Sequence, residues 1–134
     1  MNFNSYTQKS LEVVQNARNL AVNHGHQQME QLHLLLAMLQ QDGGLIPQLL
    51  KKMEISVESL EAAANQSLRK IPSVVTSRDA DRFYISADTD AALSAAQQQA
   101  DVMKDEYVSV EHLFLGLLEA ARGDVKQLIS PDAL

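Results

Sequence analysis

Apolar residues recur at three- and four-residue intervals along most of the chain, which is the spacing of one face of an α-helix. The first such face consists of Leu11, Val14, Ala17 and Ala21. Thr7 precedes this face and can cap the helix, because its side-chain oxygen can accept a hydrogen bond from a free backbone N–H. Three more helices are predicted in the first half: residues 31–41, residues 46–53, and a helix from Ser56 to just before Pro72.

The second half of the chain repeats the first at an offset of 79 residues. The alignment runs without a gap from Tyr6 to Leu49 and pairs HLLLAML at 33–39 with HLFLGLL at 112–118. Equivalent helices are therefore expected in the second half, over 87–103, 110–121 and 124–130. There is little room for a fourth helix after these, so the last helix is expected to be truncated.

These patterns predict an all-α fold built from two pseudo-symmetric repeats of about four helices each. The first repeat covers about residues 6–70 and the second about 85–134. Residues 71–84 have neither helical nor strand periodicity, and we interpret them as an irregular linker. The whole chain, 1–134, is expected to form a single domain.

The composition narrows the possible functions. Seventeen acidic residues against 11 basic ones give a formal charge of −6, which argues against nucleic acid or an anionic membrane as the main partner. The absence of cysteine excludes disulfides, cysteine-ligated zinc, iron–sulfur clusters and thiol catalysis, and it suits a reducing compartment. No apolar run approaches the roughly 20 residues of a membrane-spanning helix. We therefore expect a cytoplasmic protein.

The chain offers little that resembles catalytic chemistry. None of its five glycines precedes a lysine, so no phosphate-binding loop is present, and we expect no enzyme activity, cofactor or metal in this chain. His24 and His26 could chelate a metal, but a solvated loop is the simpler interpretation. His33 and His112 occupy equivalent positions just inside two helices. We expect each to bond backbone or cap a neighbouring helix, with a site between the repeats as the alternative.

Three segments together resemble a known family. They are FNSYTQKSLEVVQNARNLA at 3–21, QLHLLLAMLQQDGG at 31–44 and MKDEYVSVEHLFLGLLE at 103–119. They are similar to the N-terminal domain of the Clp family, most of all to that of the ClpB-type protein disaggregases. The resemblance implies a domain that binds unfolded or aggregated polypeptide and delivers it to a hexameric AAA+ ring. ATP and magnesium would bind in the AAA+ modules, which lie outside this chain, and the isolated domain would be a monomer.

The resemblance also implies candidate site residues. Thr7, Asp105 and Glu111 match positions associated with substrate handling, although all three could simply stabilise helix ends. Leu93, Ala95 and His112 match the family's exposed apolar patch for clients. In an alternative function, the domain docks adaptor or co-chaperone proteins and regulates an unfoldase of the ClpA or ClpC type.

Overall fold

The computed structural model describes residues 2–74 and 84–129, and within them it confirms the all-α prediction. The elements in chain order are α1 (Gln8–Asn23), β1 (Gln28–Met29), α2 (Gln31–Gln40), α3 (Leu45–Lys52), α4 (Val57–Leu68), β2 (Tyr84–Ile85), α5 (Ala87–Val102), α6 (Val110–Ala120) and α7 (Gly123–Ile129). No helix in these residues is long and apolar enough to cross a membrane.

Helix α2 is the centre of the structure. Its residues from Gln31 to Leu39 are all buried, and the helix contacts each of the other six. A helix that is apolar on every side cannot lie at a surface without exposing part of its apolar face. The run of leucines in α2 therefore explains why the remaining helices surround it.

The two repeats are joined by an exchange of short strands that the helical patterns did not predict. β1 of the first repeat pairs in parallel with β2 of the second, which aligns Met29 with Ile85. An isolated bridge pairs Tyr6 with Val108. The 79-residue offset converts one pairing into the other, since it takes Tyr6 to Ile85 and Met29 to Val108. Each repeat therefore contributes one partner to both pairings, as a pseudo-two-fold axis requires.

The predicted linker needs one correction. Tyr84 belongs to β2 and pairs with Gln28, because β1 supplies the backbone partner that the sequence pattern alone could not show. Residues 71–74 follow α4 without helical structure. Residues 75–83 lie outside the described part of the chain, as do residues 130–134, where the last helix was expected to be truncated.

The repeats differ in what covers their central helices. In the first repeat α4 packs on α2, where Leu32 and Leu36 are buried. The equivalent residues of α6 are Glu111 and Leu115, which are exposed. Among the described residues, the first repeat has four helices and the second has three, with none equivalent to α4. The outer face of α6 is therefore open to solvent, and its carboxylates at 111 and 119 suit that position.

Helices α5 and α6 pack more extensively on each other than any other pair of elements. Their closest approach is at Gly116, where an added Cβ would lie 2.5 Å from the carbonyl oxygen of Ala92 and 2.6 Å from the backbone nitrogen of Ala96. Both of these contacts are to backbone, which cannot turn away as a flexible side chain could. Glycine is therefore required at this crossing.

We predict that Gly116→Ala lowers the free energy of unfolding by about 1–3 kcal/mol, because the added methyl group must push the two helices apart. The intrinsic helix preference of alanine opposes this loss but does not exceed it. Urea unfolding of the variant measures the change. Leu115→Ala, at a partly exposed neighbour, is the control and should change the unfolding free energy by less than about 1 kcal/mol. Equal effects of the two substitutions would contradict the close approach.

Candidate functional site

Thr7 caps α1, as the sequence predicts. Its side-chain oxygen accepts a hydrogen bond from the backbone N–H of Ser10 at 3.1 Å. Its own backbone N–H donates to the carbonyl oxygen of Val108 at 3.0 Å, and the hydroxyl of Ser10 donates to the same oxygen at 2.7 Å. The N-terminus of α1 is thereby held against the segment that leads into α6.

Asp105 and Glu111 flank that segment, each three residues from Val108. The structure therefore brings Thr7, Asp105 and Glu111 to one region, around the bridge between Tyr6 and Val108. Glu111 lies in the first turn of α6, where the helix dipole favours a negative charge, and its side chain is exposed. Whether these three residues handle substrate stays a prediction.

Asp105 has a structural partner that the sequence did not reveal. Its Oδ2 lies 2.8 Å from Nε2 of His112, a ring that is almost fully buried. Nδ1 of the same ring accepts the backbone N–H of Ser109 at 2.9 Å. In the neutral ring, the proton is therefore on Nε2 and is donated to the carboxylate. This confirms the expectation that His112 bonds backbone at a helix start.

The apolar patch expected at Leu93, Ala95 and His112 is not at the surface, and that expectation is wrong. Leu93 is fully buried, and Ala95 and His112 are nearly so. The reason is the close packing of α5 on α6, which turns the inner face of α5 and the first turn of α6 into the core.

Exposed apolar side chains lie instead at the end of α5 and just beyond it. Val102 is 79% exposed, Met103 49% and Tyr107 55%. We call residues 102–107 the apolar turn; the chain reverses here through Lys104, whose φ is +59°. The signal in the sequence is that Val102 falls outside the buried alanine face of α5 (Ala92, Ala96 and Ala100).

Acidic groups surround the apolar turn. Asp105 and Glu106 lie within it, Asp101 precedes it and Glu111 follows, whereas Lys104 is the one basic residue between 101 and 111. The side chain of Asp105 is 46% exposed, so it can reach a bound molecule while it holds His112. Burial raises the pKa of Tyr6, whose backbone pairs with that of Val108, to about 12.

The equivalent position in the first repeat carries a second buried histidine, His33. Its Nδ1 accepts the backbone N–H of Glu30 at 2.8 Å, as His112 does from Ser109. Its Nε2, however, faces Nδ1 of His26 at 2.8 Å. The 79-residue offset places His26 where the second repeat has Asp105. The two repeats therefore share one arrangement and differ in the residue that faces the histidine.

Burial, followed by the charges of His26 and His24, lowers the pKa of His33 from 6.5 to about 4. Burial and His24 also lower the pKa of His26, while Glu30 and a hydrogen bond to the Ile71 backbone oppose that shift. Within the described residues, no group of three or more His, Asp or Glu side chains could hold a metal ion.

Asp105 gives this site a testable structural role. We predict that Asp105→Ala lowers the free energy of unfolding by about 1–3 kcal/mol, because it leaves the buried Nε2–H of His112 without an acceptor. Asp105→Asn keeps an acceptor oxygen and should be milder. Thermal and urea unfolding measure both variants. Loss of stability in Asp105→Asn but not in Asp105→Ala would contradict the assignment.

Comparison with known proteins agrees with this architecture. The family model "Clp repeat (R) N-terminal domain" matches residues 5–131. The chain is 35% identical over 131 residues to the "Chaperone protein ClpB" of Bacillus cereus, a match that covers 97% of this chain and 15% of that relative. It is 39% identical over 120 residues to the ClpB of Nitratidesulfovibrio vulgaris, covering 89% of this chain and 14% of the relative.

A solved structure shows the same fold. The N-terminal domain of Hsp104 from Candida albicans superposes with a TM-score of 0.84 at 26% identity, covering 96% of this chain and 85% of that one. The chain thus spans about 15% of the length of the first curated relatives that it matches, and the matched part is a Clp N-terminal domain. The helical repeats, the paired strands and the family match together show that the chain belongs to the Clp N-terminal domain family.

Proposed function

We propose that this chain is the substrate-recognition module of a ClpB-like, ATP-dependent protein disaggregase. It binds unfolded or aggregated polypeptide and aids delivery to an AAA+ ring. The observation that carries the proposal is the apolar turn, which holds three large apolar side chains in solvent beside four carboxylates. Its support from relatives is that the full-length proteins whose N-terminal part it resembles are ClpB chaperones.

An exposed apolar turn suits clients that have lost their own cores. Unfolded chains expose apolar side chains, and burying them against Val102, Met103 and Tyr107 removes apolar surface from water on both sides. At roughly 25 cal/mol per Å² this gives only several kcal/mol, most of which is offset by the cost of association. We therefore expect a dissociation constant of about micromolar or weaker.

Weak binding suits the place that we propose for the domain. If six copies are tethered to one hexameric ring, a client held by one copy meets the others at high effective concentration. Weak individual contacts also let the client leave for the central pore. In this proposal ATP, magnesium and hydrolysis belong to the ring, the domain alone is monomeric and non-catalytic, and the protein works in the cytoplasm.

The carboxylates at the apolar turn favour clients that carry basic side chains. Asp105 and Glu111 can accept hydrogen bonds from a client's backbone or basic side chains, while the apolar side chains contact its apolar groups. This acidic rim also favours the alternative function, the docking of a folded adaptor protein through charge. The two functions differ in their salt response, because screening weakens charge-led docking and leaves apolar capture largely intact.

We predict that replacing both Val102 and Tyr107 with alanine weakens the binding of an unfolded polypeptide about thirtyfold, since burial of each side chain contributes on the order of 1 kcal/mol of binding free energy. A reduced and carboxymethylated protein is a suitable probe, and fluorescence anisotropy gives the affinity. The matched control replaces Leu45 and Leu49, which are also exposed but lie on α3. Equal loss in both double variants would refute the apolar turn as the binding surface.

Salt and charge variants separate the two functions. We expect affinity for the unfolded probe to change less than about threefold between 50 and 500 mM salt, because the contact is mainly apolar. Asp105→Asn with Glu111→Gln should weaken binding modestly without lowering the melting temperature by more than a few degrees. A steep fall in affinity with salt would favour charge-led adaptor docking instead.

A further inference from the structure

In the first repeat, hydrogen bonds link Glu30, His33 and His26, and the acceptor nitrogen of each histidine ring already accepts a hydrogen bond. The Glu30 N–H donates to Nδ1 of His33, so the proton of the neutral His33 ring is on Nε2. That proton is donated to Nδ1 of His26 at 2.8 Å. The remaining nitrogen of His26 then carries its proton, and the backbone of Ile71 lies beside this ring.

This network holds the segment that follows α4. Besides the contact of His26 with Ile71, the hydroxyl of Ser73 donates to the carbonyl oxygen of His24 at 2.7 Å. The backbone N–H of Val74 donates to the carbonyl oxygen of Gly25 at 2.8 Å. The turn at 24–26 therefore makes two hydrogen bonds to this segment, to Ser73 and Val74, and His26 lies beside Ile71. A cavity of about 240 Å³ lies between the two segments and is lined by His26, Glu30 and Ile71 among others.

A further proton on either histidine ring would have no hydrogen-bond acceptor in this network. On His33 it would have to occupy Nδ1, which faces the N–H of Glu30. On His26 it would have to occupy Nδ1, which faces the Nε2–H of His33. In both cases two donors would face each other inside the core, where His33 is fully buried and His26 almost so. One bond of the network must break before the proton is accepted.

The second repeat differs in the group that faces its buried histidine. Nε2 of His112 faces the carboxylate of Asp105, and the hydroxyl oxygen of Ser109 lies 3.0 Å from Nδ1. The group that faces Nε2 of the buried ring is therefore a carboxylate in the second repeat and a second histidine in the first. The two equivalent sites thus differ in the charge that faces the ring, because position 26 is histidine and position 105 is aspartate.

We propose that the His26–His33 pair is an acid-operated latch. At neutral pH it ties the connection at 24–30 and residues 71–74 to α2, and on acidification it opens and releases both.

The groups around the latch disfavour a charged His33, which agrees with opening at low pH. The titratable groups that act on the pair are His24, at the end of α1, and Glu30, at the start of α2. The segment after α4 contributes the Ile71 backbone, and β2 contributes the backbone that pairs with Gln28 and Met29. Burial and the two neighbouring histidines lower the pKa of His33 to about 4, and Glu30 opposes the shift only at His26.

The sign of the pH dependence follows from linkage. Unfolded histidine binds a proton below about pH 6.5, whereas folded His33 excludes it down to about pH 4. The unfolded chain therefore binds more protons in this window, and stability is lost as the pH falls through it. For His33 alone, the unfolding constant rises about twentyfold between pH 7 and pH 5.

Three proteins test the latch by urea unfolding at pH 7 and pH 5. The original chain should show the twentyfold rise in its unfolding constant or more. His24→Gln removes a neighbouring histidine but keeps the latch, so it should retain most of the rise. His26→Asp installs the arrangement of the second repeat and should reduce the rise to a few-fold. An undiminished rise in His26→Asp would overturn the proposal.

Amide hydrogen exchange on the original chain provides a test that needs no variant. Between pH 7 and pH 5, after correction for intrinsic rates, protection of the Glu30 and Val74 amides should fall at least about tenfold. The Ser109 amide, which makes the equivalent bond to His112, should change far less. An equal loss at Glu30 and Ser109, or no loss at either, would show that the first repeat has no separate latch.

Discussion

Two backbone hydrogen bonds, each from one repeat to the other, join the starts of the long helices to the segments that lead into the central helices. Thr7 donates its N–H to Val108, and Ser86 donates its N–H to Met29 at 3.1 Å. Both donors are N-caps of long helices, and both acceptors precede a central helix. Each repeat therefore supplies a hydrogen-bond donor to the segment that precedes the other repeat's central helix, α2 or α6. A single repeat would leave these groups unsatisfied, which explains why the two form one body.

This exchange also builds the candidate site. Because Val108 is held by Thr7 and Ser10, the chain from Asp105 to Glu111 has a fixed path, and the apolar turn before it projects into solvent. The buried ring of His112 also holds this stretch through its hydrogen bond to Asp105. The proposed binding surface is a turn that rests on two helices, α5 and α6, which would limit the entropy lost when a client binds.

The periodicity of apolar residues was sufficient to predict the helices and the repeat, since each helix has a buried face at regular spacing. It could not predict β1 and β2, because two-residue strands have no measurable period. The family resemblance misplaced Leu93 at the surface, because its burial depends on how closely α5 approaches α6 at Gly116, a contact between residues distant in sequence. The partner of each buried histidine was hidden for the same reason, although the offset does align His26 with Asp105.

Amide chemical-shift mapping directly tests whether this domain binds unfolded polypeptide at the apolar turn. A reduced and carboxymethylated protein would be titrated into the isotopically labelled chain at pH 7. We predict that the largest chemical-shift changes lie at residues 101–107 and at Glu111, and that the shifts on α3 and around residues 71–74 change little. Shifts confined to those other surfaces, or no shifts at millimolar client, would contradict it.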